Sequence, residues 1–236
     1  MSFETPKEIY SKLDVVWPVR STWYDYTHKR IIRFIMKHLA KHLTDTSVYV
    51  NVGSGGSSYD LAGICYHVDI VENLIRHFPY HTVASVENMP YPDSMFDAAI
   101  CVGSVINYCD TIRCISELLR VIKPGGLLVL EFERSNTGEL WFNSDYGETC
   151  TRQEYTYLGH QHTLWLYSEK TIINVLRTEG CKILSLERFH HFSALANRIL
   201  NDEEKAGKLS WLDPFAGPIS YWTAHNMIIL CRKLPL

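Results

Sequence analysis

The sequence predicts an α/β fold whose sheet is mostly parallel. Residues 48–52 and 98–102 are short apolar runs without helical spacing, as expected of strands that are buried on both faces. Residues 111–122 instead carry apolar side chains at helical spacing. A glycine-rich turn follows the first run, and an acidic residue ends the next strand candidate. Strands that alternate with helices in this way are typical of a doubly wound sheet.

The glycine-rich stretch after the first strand, VGSGGS, is the most informative part of the chain. Gly53, Gly55 and Gly56 let the backbone bend tightly and approach a ligand with no Cβ in the way. Ser57 and Ser58 are suitable N-caps for a helix after the turn. Such turns also occur for purely structural reasons, so the residues that follow decide between the two interpretations.

An acidic side chain lies at the end of the second strand candidate. Asp69 follows Gly53 by 16 residues. In doubly wound sheets this position faces the cofactor crevice, where a carboxylate can accept hydrogen bonds from both hydroxyl groups of a ribose. The alternative is a helix cap for the segment that begins near Glu72. The order of the turn and the acid favours the ribose interpretation.

The chain continues to alternate beyond this point. Residues 82–85 form a strand candidate, a proline-containing loop follows them, and residues 98–102 form the next strand. The predicted helix at residues 111–122 ends at the Lys-Pro-Gly-Gly sequence of residues 123–126. Residues 127–132 are predicted to be the strand after it.

This array resembles the class I S-adenosylmethionine-dependent methyltransferases, specifically the small-molecule branch called type 11. The family's glycine motif, D/E-x-G-x-G-x-G, corresponds to residues 51–57, and its acidic strand end corresponds to residues 69–70. Its loop D-A-E-x-L-P-F-x-D-x-S-F-D corresponds to residues 85–97, and its late motif L-L-R-V-L-K-P-G-G corresponds to residues 118–126. The resemblance implies a Rossmann-like seven-stranded sheet with an antiparallel last strand and helices on both faces.

Three positions depart from the family pattern. Asn51 replaces the usual acid, Ser57 replaces the third glycine, and Ser85 replaces the aspartate that commonly meets the adenine amino group. Each replacement keeps a hydrogen-bonding side chain, so we expect cofactor binding to survive. The segment between the glycine turn and Asp69 is short for the family and leaves room for only a stubby first helix.

The resemblance implies S-adenosyl-L-methionine as the cofactor, with a different protein partner for each of its parts. Backbone groups around Gly53 and Gly55 would hold the amino-acid tail, Asp69 would hold the ribose, and Gly103 and Ser104 would lie beside the sulfonium. The full set of expected cofactor residues is Asn51, Gly53, Ser54, Gly55, Asp69, Ile70, Ser85, Val86, Glu87, Gly103 and Ser104. Because methyl transfer depends on alignment and on the exclusion of water, a dedicated base is optional.

We expect residues 1–236 to form one methyltransferase domain with additions to its core. Residues 1–44 are predicted to be an N-terminal cap, and residues 45–135 the cofactor-binding core. The predicted cap contains a helix that begins near Thr22 or Tyr26 and ends near Leu43, preceded by an aromatic stretch. The aromatic residues either pack the helix onto the sheet or form a lid over the acceptor, which makes Tyr24 and Tyr26 candidate substrate residues.

Residues 136–167 are predicted to contain an inserted β-hairpin, since residues 149–167 alternate polar and aromatic side chains around a turn. His160 and His162 lie two apart, so on a strand they share one face and are candidates for a proton acceptor or an acceptor-orienting pair. The alternative is two solvent-facing histidines beside a turn. A metal site is not expected, because no third ligand stands at a recognisable spacing. The candidate substrate residues of this hairpin are Tyr157 and Trp165.

The C-terminal part, residues 168–236, is predicted to supply the last two strands of the sheet. These are residues 182–189 and 224–232, and a lid insertion at residues 193–223 lies between them. The insertion begins as an amphipathic helix and contains several aromatic residues. Tyr108, just beyond the fourth strand, faces the same crevice if the family geometry holds, and it is the third candidate catalytic residue.

Composition and charge agree with a cytoplasmic enzyme that acts on a small molecule. The chain is 46% hydrophobic, has a formal net charge of −3 and has no long basic run, so we expect no nucleic acid partner. Its seven cysteines form no Cys-x-x-Cys pair and fit a reducing compartment. The N-terminal residues show neither a basic segment nor an apolar core, and no apolar run reaches the length of a membrane span, so we expect no membrane partner.

The resulting hypothesis is methyl transfer from S-adenosylmethionine to an oxygen, nitrogen or carbon of a small acceptor. One alternative is a catalytically inactive protein that binds S-adenosylmethionine or S-adenosylhomocysteine. Another is a nicotinamide-dependent oxidoreductase, although Ser58 occupies the position of the third glycine that such enzymes use. The sequence leaves the acceptor and the oligomeric state open.

Overall fold

A computed structural model describes residues 5–13, 16–17, 21–157 and 159–235. The strands are β1 (Val48–Val52), β2 (Ile64–Asp69), β3 (His81–Val83), β4 (Phe96–Cys101), β5 (Ile122–Glu133), β6 (Cys150–Tyr157), β7 (His160–Tyr167), β8 (Cys181–Phe189) and β9 (Asn226–Lys233). The α-helices are α1 (Pro6–Tyr10), α2 (Thr22–His38), α3 (Glu72–Ile75), α4 (Thr111–Val121), α5 (Glu169–Thr178), α6 (Phe192–Leu200), α7 (Glu203–Gly207) and α8 (Ser220–Thr223).

The main sheet has seven strands in the order β3-β2-β1-β4-β5-β9-β8. Strands β1 to β5 pair in parallel, whereas β9 is antiparallel to both of its neighbours, β5 and β8. The strand order reverses direction between β1 and β4, which is where ligands bind in open α/β sheets. The predicted fold class, with its antiparallel last strand, is confirmed.

Alternating side chains of strand β4 explain why the sheet is covered on both faces. Ala98 and Ile100 pack into an apolar cluster with helix α2, whereas Ala99 and Cys101 pack into a second cluster with helices α4 and α5. All four side chains are fully buried. A strand buried on both faces has no polar alternation, which is why residues 98–102 read as a continuous apolar run.

The helices begin close to the predicted positions because their N-terminal caps are local features. Ser21 accepts a hydrogen bond from the backbone N–H of Tyr24 at the start of α2, and Asp110 accepts one from Arg113 at the start of α4. Helix α2 ends at His38, and a short 3₁₀ helix at Ala40–His42 continues it.

One predicted element is absent. Residues 53–63, which connect β1 to β2, contain neither a helix nor a strand, so Ser57 and Ser58 cap no helix. The expectation of a short first helix is therefore wrong. Parallel strands usually need a crossover of a dozen or more residues, and a turn, a helix and a return do not fit into this length.

The inserted hairpin is confirmed, and it stands apart from the main sheet. Strands β6 and β7 pair with each other in an antiparallel two-stranded sheet. Leu158, at the predicted turn, lies outside the described residues. Buried Asn107 joins the hairpin to the core, since its side-chain amide donates hydrogen bonds to the carbonyls of Glu133 (3.0 Å) and Trp165 (2.8 Å).

The lid insertion between β8 and β9 contains α6, α7 and α8 together with 3₁₀ helices at Ser210–Phe215 and Gly217–Ile219. Buried Asp213 anchors it, because its two carboxylate oxygens accept hydrogen bonds from the backbone N–H groups of His190 (2.6 Å) and His191 (3.0 Å). The lid thus reaches back to the end of β8, and its helix α7 contacts α2. Within the described ranges, none of the helices has the length and apolar character needed to cross a bilayer.

Candidate active site

The glycine turn after β1 is packed as closely as its sequence predicts. Gly53 and Gly55 both have positive φ angles, of 63° and 54°. A Cβ on Gly53 would collide with the side chain of Val105, and one on Gly55 would come within 3.2 Å of Val16. Only glycine combines these backbone angles with such close neighbours, so the turn requires both residues.

Hydrogen bonds of polar side chains stabilise the glycine turn. Buried Asn51 donates a hydrogen bond to the carbonyl of Ser57 (2.9 Å), and the hydroxyl of Ser54 bonds Nδ1 of His67 (2.9 Å). Burial, followed by the neighbouring His77 and His81, lowers the pKa of His67 to about 4. The ring is therefore neutral at physiological pH and acts as a hydrogen-bonding support.

Asp69 joins the turn to the end of β2. One of its carboxylate oxygens accepts a hydrogen bond from the backbone N–H of Gly55 (2.8 Å), and the other accepts one from Val71 (3.0 Å). Burial raises the pKa of Asp69, while these backbone donors lower it. The carboxylate therefore sets the position of the glycine turn as well as facing the adjacent cavity.

A second buried carboxylate holds the turn after β4. Glu131 accepts hydrogen bonds from the backbone N–H groups of Gly103 (2.8 Å) and Ser104 (2.9 Å), and from the side-chain amide of Asn226 (2.7 Å). Burial raises the pKa of Glu131 to about 7. This support fixes the backbone at the boundary between the two cavities described next.

The larger cavity has a volume of about 270 Å³ and lies at the carboxyl ends of β1, β2 and β4. Every predicted cofactor residue except Ser104 lines it, and Ser104 lines a second cavity beside it. The residues in the larger cavity are Asn51, Gly53, Ser54, Gly55, Asp69, Ile70, Ser85, Val86, Glu87 and Gly103. Trp17 and Tyr10, from the N-terminal cap, close its outer side.

The second cavity, of about 70 Å³, is called the acceptor chamber below. It shares five lining residues with the larger cavity: Tyr10, Val16, Trp17, Gly103 and Tyr108. The hydroxyl groups of Tyr10 and Tyr108 lie 3.0 Å apart and form a hydrogen bond where the cavities meet. A ligand in the larger cavity and one in the chamber would therefore lie next to each other along these shared residues.

A charged cluster surrounds buried His225, which lines the chamber together with Glu133. Nε2 of His225 lies 3.3 Å from Glu133, and Nδ1 of His225 lies 3.4 Å from Glu139. Burial lowers the pKa of His225, but Glu139 and Glu133 outweigh it and raise the value to about 9. Burial likewise raises the pKa of Glu133, but His225 and Ser104 bring it below its ordinary value. At neutral pH the cluster is thus an imidazolium held between two carboxylates.

Glu203, on lid helix α7, supplies a further carboxylate to the chamber. The hydroxyl of Tyr24 donates a hydrogen bond to it over 2.7 Å. Burial raises the pKa of Glu203 to about 7, and the hydrogen bond from Tyr24 opposes this shift. This carboxylate can therefore gain or lose a proton near physiological pH.

The candidate catalytic and substrate residues divide between the chamber and its surroundings. Tyr24, Tyr108 and His162 line the chamber, whereas His160 and Trp165 line neither cavity. Burial lowers the pKa of His162, whose ring lies 5.5 Å from that of Tyr108.

Two further candidates lie elsewhere. Tyr26 donates a hydrogen bond to Asp213 (2.9 Å) and packs against His190, so it belongs to the lid anchor and lines neither cavity. The side chain of Tyr157 is outside the described part of the chain.

Sequence reasoning missed the acidic residues of the chamber and His225. One signal was present, since Glu131 and Glu133 stand two apart at the carboxyl end of the strongly apolar strand β5. Both therefore lie at the sheet edge where ligands bind. Glu203 and His225 offered no comparable signal, because their place in the chamber depends on how the lid folds back.

The fold defines a class of protein, one with a Rossmann-like sheet and two adjoining cavities at the carboxyl ends of its parallel strands. Residues 48–130 match the family model described as a methyltransferase domain, of type 11. Residues 48–130, which include the glycine turn and Asp69, therefore form a methyltransferase domain of the S-adenosylmethionine-dependent kind. The two alternative functions receive no support from the comparisons.

Curated relatives are similar to this chain over part of its length. A 2-phytyl-1,4-naphtoquinone methyltransferase of Nostoc punctiforme is 29% identical over 154 residues, covering 57% of this chain and 67% of the relative. The ubiquinone/menaquinone biosynthesis C-methyltransferase UbiE of Pasteurella multocida is 42% identical over 52 residues, covering 22% of this chain and 19% of the relative. The second match thus spans much less than two thirds of that relative.

Solved structures share the fold over nearly the whole chain. The cyclase SpnF has a TM-score of 0.60 at 17% identity, covering 99% of this chain and 98% of its own. The 1,6-didemethyltoxoflavin-N1-methyltransferase of Burkholderia thailandensis, solved with its substrate and S-adenosylhomocysteine, has a TM-score of 0.54 at 14% identity. That match covers 100% of this chain and 93% of the neighbour. At these identities the likeness shows the fold alone.

Proposed function

We propose that the chain transfers a methyl group from S-adenosylmethionine to a small molecule whose reacting oxygen, nitrogen or carbon enters the acceptor chamber. The observation that carries this proposal is that the two cavities adjoin, because Gly103 and Tyr108 line both of them. A donor in one cavity and an acceptor in the other would meet there. Holding two reactants in line and excluding water is the main requirement of such a transfer.

The residues of the larger cavity fit the proposed cofactor. Gly53 and Gly55 line this cavity and have no side chains, so a close-lying amino-acid tail could approach the backbone of the turn. Asp69 offers a carboxylate for the ribose, and Ile70 and Val86 offer apolar surface for the adenine. The bound cofactor would supply an activated methyl group, while these residues would hold and orient it.

The chamber favours an acceptor with aromatic surface. Its walls include Trp23, Tyr108 and Tyr155, and among the described residues neither cavity is lined by lysine or arginine. Polyanions such as nucleic acids would find no lysine or arginine there to contact their phosphates. The Nostoc punctiforme relative is named for a naphthoquinone, which is consistent with a planar acceptor.

We further propose that the protein works in the cytoplasm. All seven cysteines are free thiols, and at least four of them are buried, as is usual in a reducing compartment.

The test combines cofactor binding with product formation. Calorimetry of the purified chain should show S-adenosylhomocysteine binding, and Asp69→Ala should weaken it well over tenfold because charged hydrogen bonds are lost. Asp60→Ala, at an exposed acid in the connection between β1 and β2, is the control and should bind like the unmodified chain. Incubation with S-adenosylmethionine and pooled metabolites should yield S-adenosylhomocysteine. Unchanged affinity in Asp69→Ala would remove the ribose assignment, and binding without product would point to a non-catalytic protein.

A further inference from the structure

The acceptor chamber carries an excess of partly buried acidic side chains. Glu133 and Glu203 line it, and Glu139 lies directly behind His225. His225 is the one cationic group of this cluster in the described part of the chain, and it balances only one of the three carboxylates. A charge removed from water is costly unless it is paired, so the acid that lacks a cationic partner binds a proton more readily.

Two of the three carboxylates already have both a hydrogen-bond donor and a cationic partner. Glu133 accepts a hydrogen bond from the hydroxyl of Ser104 (2.9 Å) as well as facing His225. Glu139 accepts one from the side-chain amide of Asn197 (3.0 Å) and faces the other ring nitrogen of His225. These contacts fix the pair around the imidazolium, which leaves Glu203 as the acid that can change its partner.

Glu203 has the position of a proton acceptor. It lines the chamber, and its hydrogen-bond donor is the neutral hydroxyl of Tyr24, not a cation. The titratable groups that face it are Tyr24 on α2, Tyr155 on β6, Glu139, Glu133 and His225. Arg198 on α6 is exposed and donates a hydrogen bond to the backbone carbonyl of Glu139. The acids among these groups disfavour its ionised form, and a proton from a ligand would relieve that repulsion.

We propose that the chamber selects acceptors whose nucleophilic atom carries a proton, a phenolic hydroxyl or an amine, and that Glu203 is the catalytic residue that takes this proton. The inference rests on the proposed methyl transfer and deepens it. Anionic acceptors such as carboxylates and phosphates are excluded, because the chamber would place them against carboxylates without a lysine or arginine among the described lining residues.

The step balances without any further reactant. The lone pair of the acceptor oxygen or nitrogen forms a bond to the methyl carbon, and the carbon–sulfur pair returns to sulfur, giving S-adenosylhomocysteine. The proton of the acceptor moves to the carboxylate of Glu203 and later to water. His225 and Glu133 act as positioning residues, since they hold Ser104 and the adjoining Gly103 where the two cavities meet.

The first experiment separates chemistry from cofactor binding. Glu203→Gln keeps the size of the side chain and removes its basicity, so kcat should fall at least 100-fold, as expected when a general base is lost. S-adenosylhomocysteine affinity should stay within twofold of the unmodified chain. Glu204→Gln, next to it and exposed, is the matched control and should keep its kcat. A Glu203→Gln variant with an unchanged kcat would overturn the proposal.

The pH profile of kcat/KM distinguishes a catalytic role of Glu203 from a merely structural one. In the unmodified chain, kcat/KM should rise through about pH 7 as Glu203 ionises, and this limb should be absent in Glu203→Gln. A limb that persists in the variant would assign the titration to another group and contradict the role of Glu203.

The second experiment tests the acceptor class by binding and needs no turnover. Matched probes are dihydroxynaphthalene, naphthylmethylamine and dihydroxynaphthoate, which place a phenol, an amine and a carboxylate on one ring system. Calorimetry against chain saturated with S-adenosylhomocysteine should show the naphthoate binding at least tenfold more weakly than the other two. Equal or tighter binding of the naphthoate would overturn the selection. Failure of S-adenosylhomocysteine itself to bind would instead refute the proposed function beneath it.

Discussion

The larger cavity is bounded mainly by backbone and short side chains that follow β1, β2 and β4, whereas the acceptor chamber is bounded by long side chains from distant elements. The former uses residues between Asn51 and Cys109 together with N-terminal residues such as Tyr10 and Trp17. The latter combines Tyr24, Glu133, Glu203 and other residues that meet only in the folded chain. The contrast indicates that backbone shape defines the larger cavity, whereas side-chain chemistry defines the chamber.

The two cavities also differ in charge. In the larger one Asp69 is held by backbone donors. In the chamber, His225 lies between two carboxylates, and Glu203 lies nearby with Tyr24 as its donor. A cofactor pocket built from backbone should respond most to changes of shape, and a chamber built from charges should respond most to changes of charge and pH.

The largest expected effect concerns the charge of the chamber. The folded pKa of His225 is about 9, above the ordinary value of 6.5. The bound proton therefore stabilises the fold fully below about pH 6.5, and this contribution is lost as the pH rises through about 9. From the size of the shift we expect His225→Gln to lower the free energy of unfolding by about 3 kcal/mol at pH 6, and by much less at pH 10.

Chemical denaturation at both pH values measures this difference. His42→Gln is the control. His42 is largely exposed, and partial burial followed by Lys41 and Arg232 lowers its pKa, so no bound proton on this side chain stabilises the fold at neutral pH. If His225→Gln were equally destabilised at both pH values, the imidazolium between Glu133 and Glu139 would be refuted.

The next effect concerns the shape of the cofactor pocket. Gly53→Ala adds a Cβ that collides with Val105 at a positive φ angle, so S-adenosylhomocysteine affinity should fall about 100-fold through displacement of the turn. Gly125→Ala is the matched control, since Gly125 has a φ of 83° but no atom within 4 Å of the added Cβ. Calorimetry should find its affinity unchanged, and equal losses in both variants would mean that backbone strain, not the close contact, matters.

The same contrast explains what the sequence could predict. The glycine turn, Asp69 and the end of β4 are local motifs in a fixed order, so their convergence at one sheet edge follows from the parallel topology. The helix expected after Ser57 was wrong because the motif specifies the turn, whereas the length of the connection decides whether a helix fits. Glu203 and His225 could not be placed, because no spacing in the sequence encodes how the lid returns to β5.

A smaller effect distinguishes the two histidines of the hairpin. His162 is buried in the chamber wall beside Tyr108, whereas His160 lines neither cavity. His162→Ala should lower kcat/KM for the acceptor about tenfold, the loss expected from one hydrogen bond or ring contact. His160→Ala, two positions along the same strand, should change it less than twofold. Steady-state kinetics that show equal losses would mean that the hairpin acts through its stability.

The smallest expected effect lies at the junction of the two cavities. The hydroxyl groups of Tyr108 and Tyr10 bond each other over 3.0 Å, so Tyr10→Phe and Tyr108→Phe remove the same hydrogen bond from opposite sides. A neutral hydrogen bond contributes about 1 kcal/mol, so each variant should lower kcat/KM by about fivefold. Equal losses in steady-state kinetics would assign the effect to that bond. A clearly larger loss in Tyr108→Phe would mean that its hydroxyl also contacts the acceptor, because the cost to the shared bond is the same in both variants.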